Sequence, residues 1–176
     1  MRNYFLGLCL LFALCFMACS HSDDSVDVLI IGGGASGVTA GIQSARMGAA
    51  TLIVEETEWL GGMLTSAGVS AVDGNYDLPA GLFGEFREHL ADYYGGLDSL
   101  KTGWVSAVLF EPSVGNKIFH EMVDVEKNLK VWHNATLVKL EREKDVWIAQ
   151  IQMKDNTIKK IHAKILIDGT ELGDIA

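Results

Sequence analysis

Cysteine is nearly missing from the part of this 176-residue chain that can fold, because Cys9, Cys15 and Cys19 all fall in the first nineteen positions. Within the remainder, disulfides, thiolate metal sites and cysteine nucleophiles are excluded, and an iron–sulfur cluster would have no ligands. Proline is scarce too, at 2 residues against 19 glycines, which excludes collagen-like and proline-rich low-complexity classes. Cations are few: 14 Lys+Arg face 23 Asp+Glu, a net charge of −9, so no nucleic-acid partner is expected. No apolar run reaches the roughly 20 residues that a membrane-spanning helix needs. A composition of 49% hydrophobic and 21% charged residues is that of a globular chain, with one folded domain as the expectation.

The longest apolar run, Tyr4 to Met17, follows a single cation, Arg2, and reads with it as a signal peptide over residues 1–18. Cys19 follows Phe16-Met17-Ala18 and precedes Ser20, an arrangement that resembles a bacterial lipoprotein lipobox, with Phe16 where such boxes favour Leu. The resemblance implies cleavage before Cys19 and lipidation of its thiol. The product would be an exported cell-envelope lipoprotein of a bacterium, held at a membrane on the periplasmic or surface side. Ordinary secretion, with Cys19 a bystander, is the other reading. Residues 19–25, polar and acidic, read as a solvated tether, and residues 26–176 as the folded domain.

Val26 to Ile31 is a β-branched apolar run, the pattern of a strand buried on both faces of a parallel sheet. Val38, Ile42 and Ala45 then recur at helical spacing, Gly48 stands where a C-terminal cap glycine belongs, and Thr51 to Val54 is the next strand. A second helix is expected around 81–93, with Leu82, Phe86 and Leu90 inward. A third should run from Pro112 to about Asn128, with Val114, Ile118, Met122 and Val125 on one face. Lys130 to His133 reads as another parallel strand. Segments near 137–140, 146–152 and 157–162 read as an antiparallel meander, and 164–167 as one more parallel strand ending at Asp168-Gly169-Thr170.

Gly32-Gly33-Gly34-Ala35-Ser36-Gly37 satisfies GxGxxG between that first strand and first helix, and Glu55 closes the second strand 18 positions after Gly37. Gly32 permits a tight turn, Gly34 lets backbone approach a pyrophosphate, and Gly37 lets the helix pack close to the sheet. The helix N-terminus, with Ala35 and Ser36 in its first turn, offers unpaired N–H groups and a positive dipole end to phosphates. Glu55 can accept from ribose hydroxyls and would repel a 2′-phosphate, which disfavours NADP. Strand alternation does not decide between Glu55 and its neighbour Glu56.

About 75 residues separate Glu55 from Lys130, too many for the short crossover of an NAD-type half, and they contain Trp59-Leu60-Gly61-Gly62-Met63-Leu64-Thr65-Ser66-Ala67-Gly68. This stretch resembles the second glycine motif of FAD-dependent oxidoreductases related to glutathione reductase and fumarate reductase, and to heterodisulfide reductase A-like proteins. The resemblance implies an α/β, Rossmann-like FAD-binding domain with a parallel sheet and an antiparallel β-meander. It places Gly61 and Gly62 beside the FAD diphosphate and ribityl, and Met63, Thr65 and Ser66 nearer the flavin ring. Turn roles remain open for Thr65 and Ser66. His133 to Val138 is similar to the family strand whose backbone contacts adenine, which makes Val138 a candidate. Ile167 to Asp174 is similar to the third motif, ending in the pair Gly173-Asp174, with Gly169 where most relatives have Ala. Asp168 and Asp174 could instead serve a loop or a helix cap.

The expected activity is transfer of hydride or electrons between an unidentified small molecule and an acceptor, with FAD carrying the redox chemistry. No residue stands out as a catalytic acid or base, because in the family these come largely from a substrate domain. The chain reaches Ala176 just past Asp174, and a truncated, non-catalytic cofactor-binding remnant is therefore one alternative. An NAD-binding dehydrogenase domain is the other. Iron–sulfur clusters, which some relatives hold, have no ligands here. Tyr93, Tyr94 and Trp104 could line a ligand, although packed aromatics are the commoner use. His89, His120, His133 and His162 have no acid or nucleophile paired with them in sequence and read as structural or surface residues.

Overall fold

The computed structural model describes residues 24–74, 76–104 and 106–175. The leader and Cys19 lie outside them. The chain runs β1 (Asp24–Ile31), α1 (Ala35–Arg46), β2 (Thr51–Val54), β3 (Ala71–Val72), α2 (Gly81–Tyr94), β4 (Val108–Leu109), α3 (Pro112–Asp124), β5 (Leu129–Trp132), β6 (Thr136–Glu143), β7 (Val146–Gln152) and β8 (Ile158–Asp168). One six-stranded sheet has the order β5-β2-β1-β8-β7-β6, and β3 pairs with β4 in a separate two-stranded ribbon. β5, β2, β1 and β8 are mutually parallel, whereas β7 and β6 continue the sheet antiparallel.

The apolar run of β1 is buried on both faces because each face has its own cover. Val28 and Ile30 point to the side of α1, α2 and α3, where they join Val38 and Ile42 of α1, Phe86 and Leu90 of α2 and Ile118 of α3. Leu29 and Ile31 point the other way, against Ala149 and Ile151 of β7 and Ile161 and Ala163 of β8. The meander therefore takes the place that a second helical layer has in a doubly wound sheet. Aromatic packing closes the helical side: Phe86 stacks on Phe119 with ring centres 4.5 Å apart, and meets Phe110 edge-on at 5.4 Å.

Four expectations are corrected. β1 begins at Asp24, so the last two residues of the expected tether are strand, paired with Ile161 and His162. The third helix ends at Asp124 rather than near Asn128, leaving Val125 70% exposed beyond its apolar face. The segments 157–162 and 164–167 are one strand, β8, whose first half pairs with β7 while its second half pairs with β1 alone. Finally, Tyr93 is half exposed and Trp104 fully so, so neither is a packed core aromatic. Tyr94 is the structural one of the three, its hydroxyl accepting the Glu111 N–H at 3.0 Å.

Candidate functional site

The carboxyl ends of β1, β2 and β8 meet at one cleft of about 700 Å³, large enough for a sizeable ligand. Its position follows from topology. The chain leaves β1 through α1 toward β2 on one side, while β8 lies on the other, and the crevice opens at this switch point.

The first glycine motif builds the floor. Gly32 has φ +99°, and a Cβ there would lie 2.5 Å from the Gly169 carbonyl oxygen, so both the turn and the approach of β8 require glycine. Gly37 faces a harder limit, with a Cβ falling 2.0 Å from the Gly32 oxygen. Gly34 differs: only the Gly169 oxygen, at 3.7 Å, lies near its open side, and it borders the cleft. It is also the N-cap of α1, which has no side-chain cap and no acid in its first turn. The first-turn N–H groups of Ala35, Ser36 and Gly37 therefore remain for an anion.

Glu55, not Glu56, is turned toward this loop. Its Oε2 accepts the Gly33 N–H at 2.7 Å, and its Oε1 accepts from the Thr57 N–H and hydroxyl at 2.9 and 2.7 Å. Thr57, which the sequence did not single out, thus orients the acid. The second motif docks on the first, since the Gly61 N–H donates to the Gly33 oxygen at 2.8 Å and Gly34 and Gly61 form a parallel bridge. Positive φ at Gly61 and Gly62 makes this crossing possible. Asn116 of α3 holds the loop from behind, its Oδ1 accepting the Leu60 N–H at 2.8 Å. Nothing in the sequence marks Asn116 for this.

The third motif is organised by Asp168. Its Oδ1 accepts from the Thr170 N–H and hydroxyl, and its Oδ2 from the Ile175 N–H at 3.1 Å. Gly169 is tightly enclosed, a Cβ there falling 2.8 Å from the Gly32 oxygen, which gives its departure from Ala a local reason. Gly62, Ser66, Thr170 and Asp174 complete the wall.

Some expected contacts are not brought to the cleft. Thr65 is buried to 1%, and its hydroxyl donates to the Leu60 oxygen at 2.6 Å, so it is a turn residue. Met63 is exposed outside the cleft lining. Val138 is 48% exposed and falls at the β-bulge of β6, where it has no partner in register; Ala135 and Leu137 border the cleft instead. Of the histidines, His120 and His133 face each other at 5.1 Å, beside the carbonyl oxygens of Glu58 and Thr57. Trp104 borders a separate cavity of about 300 Å³ with Tyr76 and Lys101.

An uncapped helix N-terminus, two interlocked glycine turns and a clasped acid at the end of the second strand define a dinucleotide-binding α/β protein. The long insertion between β2 and β5 and the meander place it in the flavoprotein branch. The chain belongs to the FAD dependent oxidoreductase family, whose profile it matches over residues 27–176. Among solved structures it is similar to a flavoprotein/dehydrogenase from Cytophaga hutchinsonii at a TM-score of 0.62 and 15% identity, covering 85% of this chain and 40% of that one. A geranylgeranyl bacteriochlorophyll reductase-like protein from Thermoplasma acidophilum gives 0.57 and 18%, covering 87% and 44%. The p-nitrophenol 4-monooxygenase of Pseudomonas putida gives 0.56 and 12%, covering 82% and 41%. The chain thus spans less than half the length of these relatives. No curated protein matches it.

Proposed function

We propose that this chain is the cofactor-holding region of an exported, lipid-anchored flavoprotein oxidoreductase that moves hydride or electrons between a small molecule and an acceptor. The observation that carries the reading is the convergence of three glycine-bearing segments, after β1, β2 and β8, on one cleft at the head of an uncapped helix. FAD, when bound, supplies the redox centre, and this chain's residues bind and orient it. The N–H groups at the start of α1 would take the diphosphate, with Gly34 allowing close approach. Glu55, held by Gly33 and Thr57, would accept from the adenosine ribose hydroxyls. Gly62 and Ser66 would border the ribityl side.

The test is flavin binding by the full chain, read by absorbance and fluorescence quenching, with NAD as competitor. The reading expects retained FAD and no competition from NAD. Gly34→Val should abolish binding while leaving the melting temperature close to that of the native chain, because the new side chain enters the cleft rather than the core. Yellow colour retained by that variant, or binding of NAD without FAD, would refute the assignment.

A further inference from the structure

We infer that Thr57 makes Glu55 a reader of one ribose hydroxyl rather than two, because it fills one oxygen of the carboxylate. The inference rests on the adenosine ribose lying at Glu55, as proposed above. Both residues border the cleft. A carboxylate offers two oxygens with about two acceptor places each. On Oε1 the Thr57 N–H, at 2.9 Å, and the Thr57 hydroxyl, at 2.7 Å, take both. On Oε2 the Gly33 N–H, at 2.7 Å, takes one. A ribose brings two neighbouring hydroxyls to an acid with a single place left, on Oε2.

The Thr57 hydroxyl is itself held for this task. Its one proton has two acceptors in reach, Glu55 Oε1 at 2.7 Å and the Trp59 oxygen at 3.1 Å, and the nearer, charged oxygen takes it. The Trp59 N–H donates to the same hydroxyl oxygen at 3.0 Å. The backbone of Thr57 is anchored separately, since its carbonyl oxygen accepts the Asn134 N–H at 3.2 Å and lies at the same distance from His133 Nδ1. Removing the hydroxyl therefore leaves the turn in place. The acid, for its part, rests against the first glycine turn: a Cβ on Gly33 would fall 3.0 Å from both Cβ and Oε2 of Glu55. Thr57 is thus a positioning residue that sets how much of the ribose Glu55 can recognise.

The test titrates the full chain by calorimetry with ADP, 2′-deoxy-ADP and 3′-deoxy-ADP, which carry the ribose and diphosphate without ribityl or flavin. In the native chain one deoxy nucleotide should bind about tenfold more weakly than ADP, and the other about as tightly as ADP. Thr57→Val keeps the shape and the N–H but opens a second place, on Oε1, so both deoxy nucleotides should then bind more weakly than ADP. Thr57→Ser retains a hydroxyl and should retain the one-sided pattern. All three forms should melt at similar temperatures. With ADP bound, equal losses for the two deoxy nucleotides in the native chain, no loss for either, or a one-sided pattern that survives in Thr57→Val would each overturn the inference and leave the proposed function standing. If the native chain binds neither ADP nor FAD, the proposed function falls and the ribose reading falls with it.

Discussion

Gly37 and Gly34 would fail in opposite ways if they carried a side chain. A Cβ at Gly37 would lie 2.0 Å from the Gly32 oxygen, within the backbone crossing of β1 and α1. Gly37→Ala should therefore cost about 3 kcal/mol or more of folding stability in denaturant melts, with FAD affinity lost only as the fold is lost. Gly34→Val should leave the fold and remove the ligand. Glu55 gives a graded case: Glu55→Ala deletes the acceptor of the Gly33 N–H and the ribose partner together. It should lower FAD affinity about tenfold in a fluorescence titration. The acid's place at the end of β2 is legible in the sequence, but the choice over Glu56 is not, because the turn at Thr57 makes it.

Arg46, the last residue of α1, ties three elements at once. Its guanidinium grips Glu85 of α2 through two N–H groups at 2.7 and 2.8 Å, and its Nε reaches Glu126 beyond α3 at 2.7 Å. The hydrogen bond from Arg46 holds the Glu85 carboxyl below its ordinary value. A depressed folded-state pKa stabilises the protein above the unfolded value, and the benefit disappears as pH falls through the folded one. Arg46→Ala should thus cost about 1 kcal/mol near neutrality, given the partial exposure of the pair. The gap from the native chain should narrow as pH falls below the ordinary carboxylate range in acid titrations of stability. These partners are 39 and 80 residues away from Arg46, beyond any local sequence pattern. β8 reads as two strands in the sequence for a related reason. His162 and Lys164 flank the small Ala163 where the strand changes neighbours, so one strand serving two partners looks like two.

Across the whole molecule, the anchoring reading depends on residues outside the described fold and has its own test. Cys19→Ser should abolish incorporation of labelled palmitate and move the protein from the membrane to the soluble fraction of an expressing bacterium. Labelling that survives the substitution would refute the lipid anchor while leaving the flavin site untouched.

The sequence by itself determined the β1-α1-β2 unit, the glycine turns, the acid after β2 and the acidic balance, because each follows from residues near one another in the chain. Burial on both faces is legible from the apolar run of β1, since a strand with polar alternation could not be covered twice. Only the tertiary structure decided what covers the second face and that β8 joins the meander to the parallel sheet. It also decided that Thr65 turns inward, and that Glu171 comes against Gly62, more than a hundred positions earlier. These depend on strand order and on the crossing of three loops, and a side chain's environment at such a crossing is set by backbone that arrives from elsewhere in the fold.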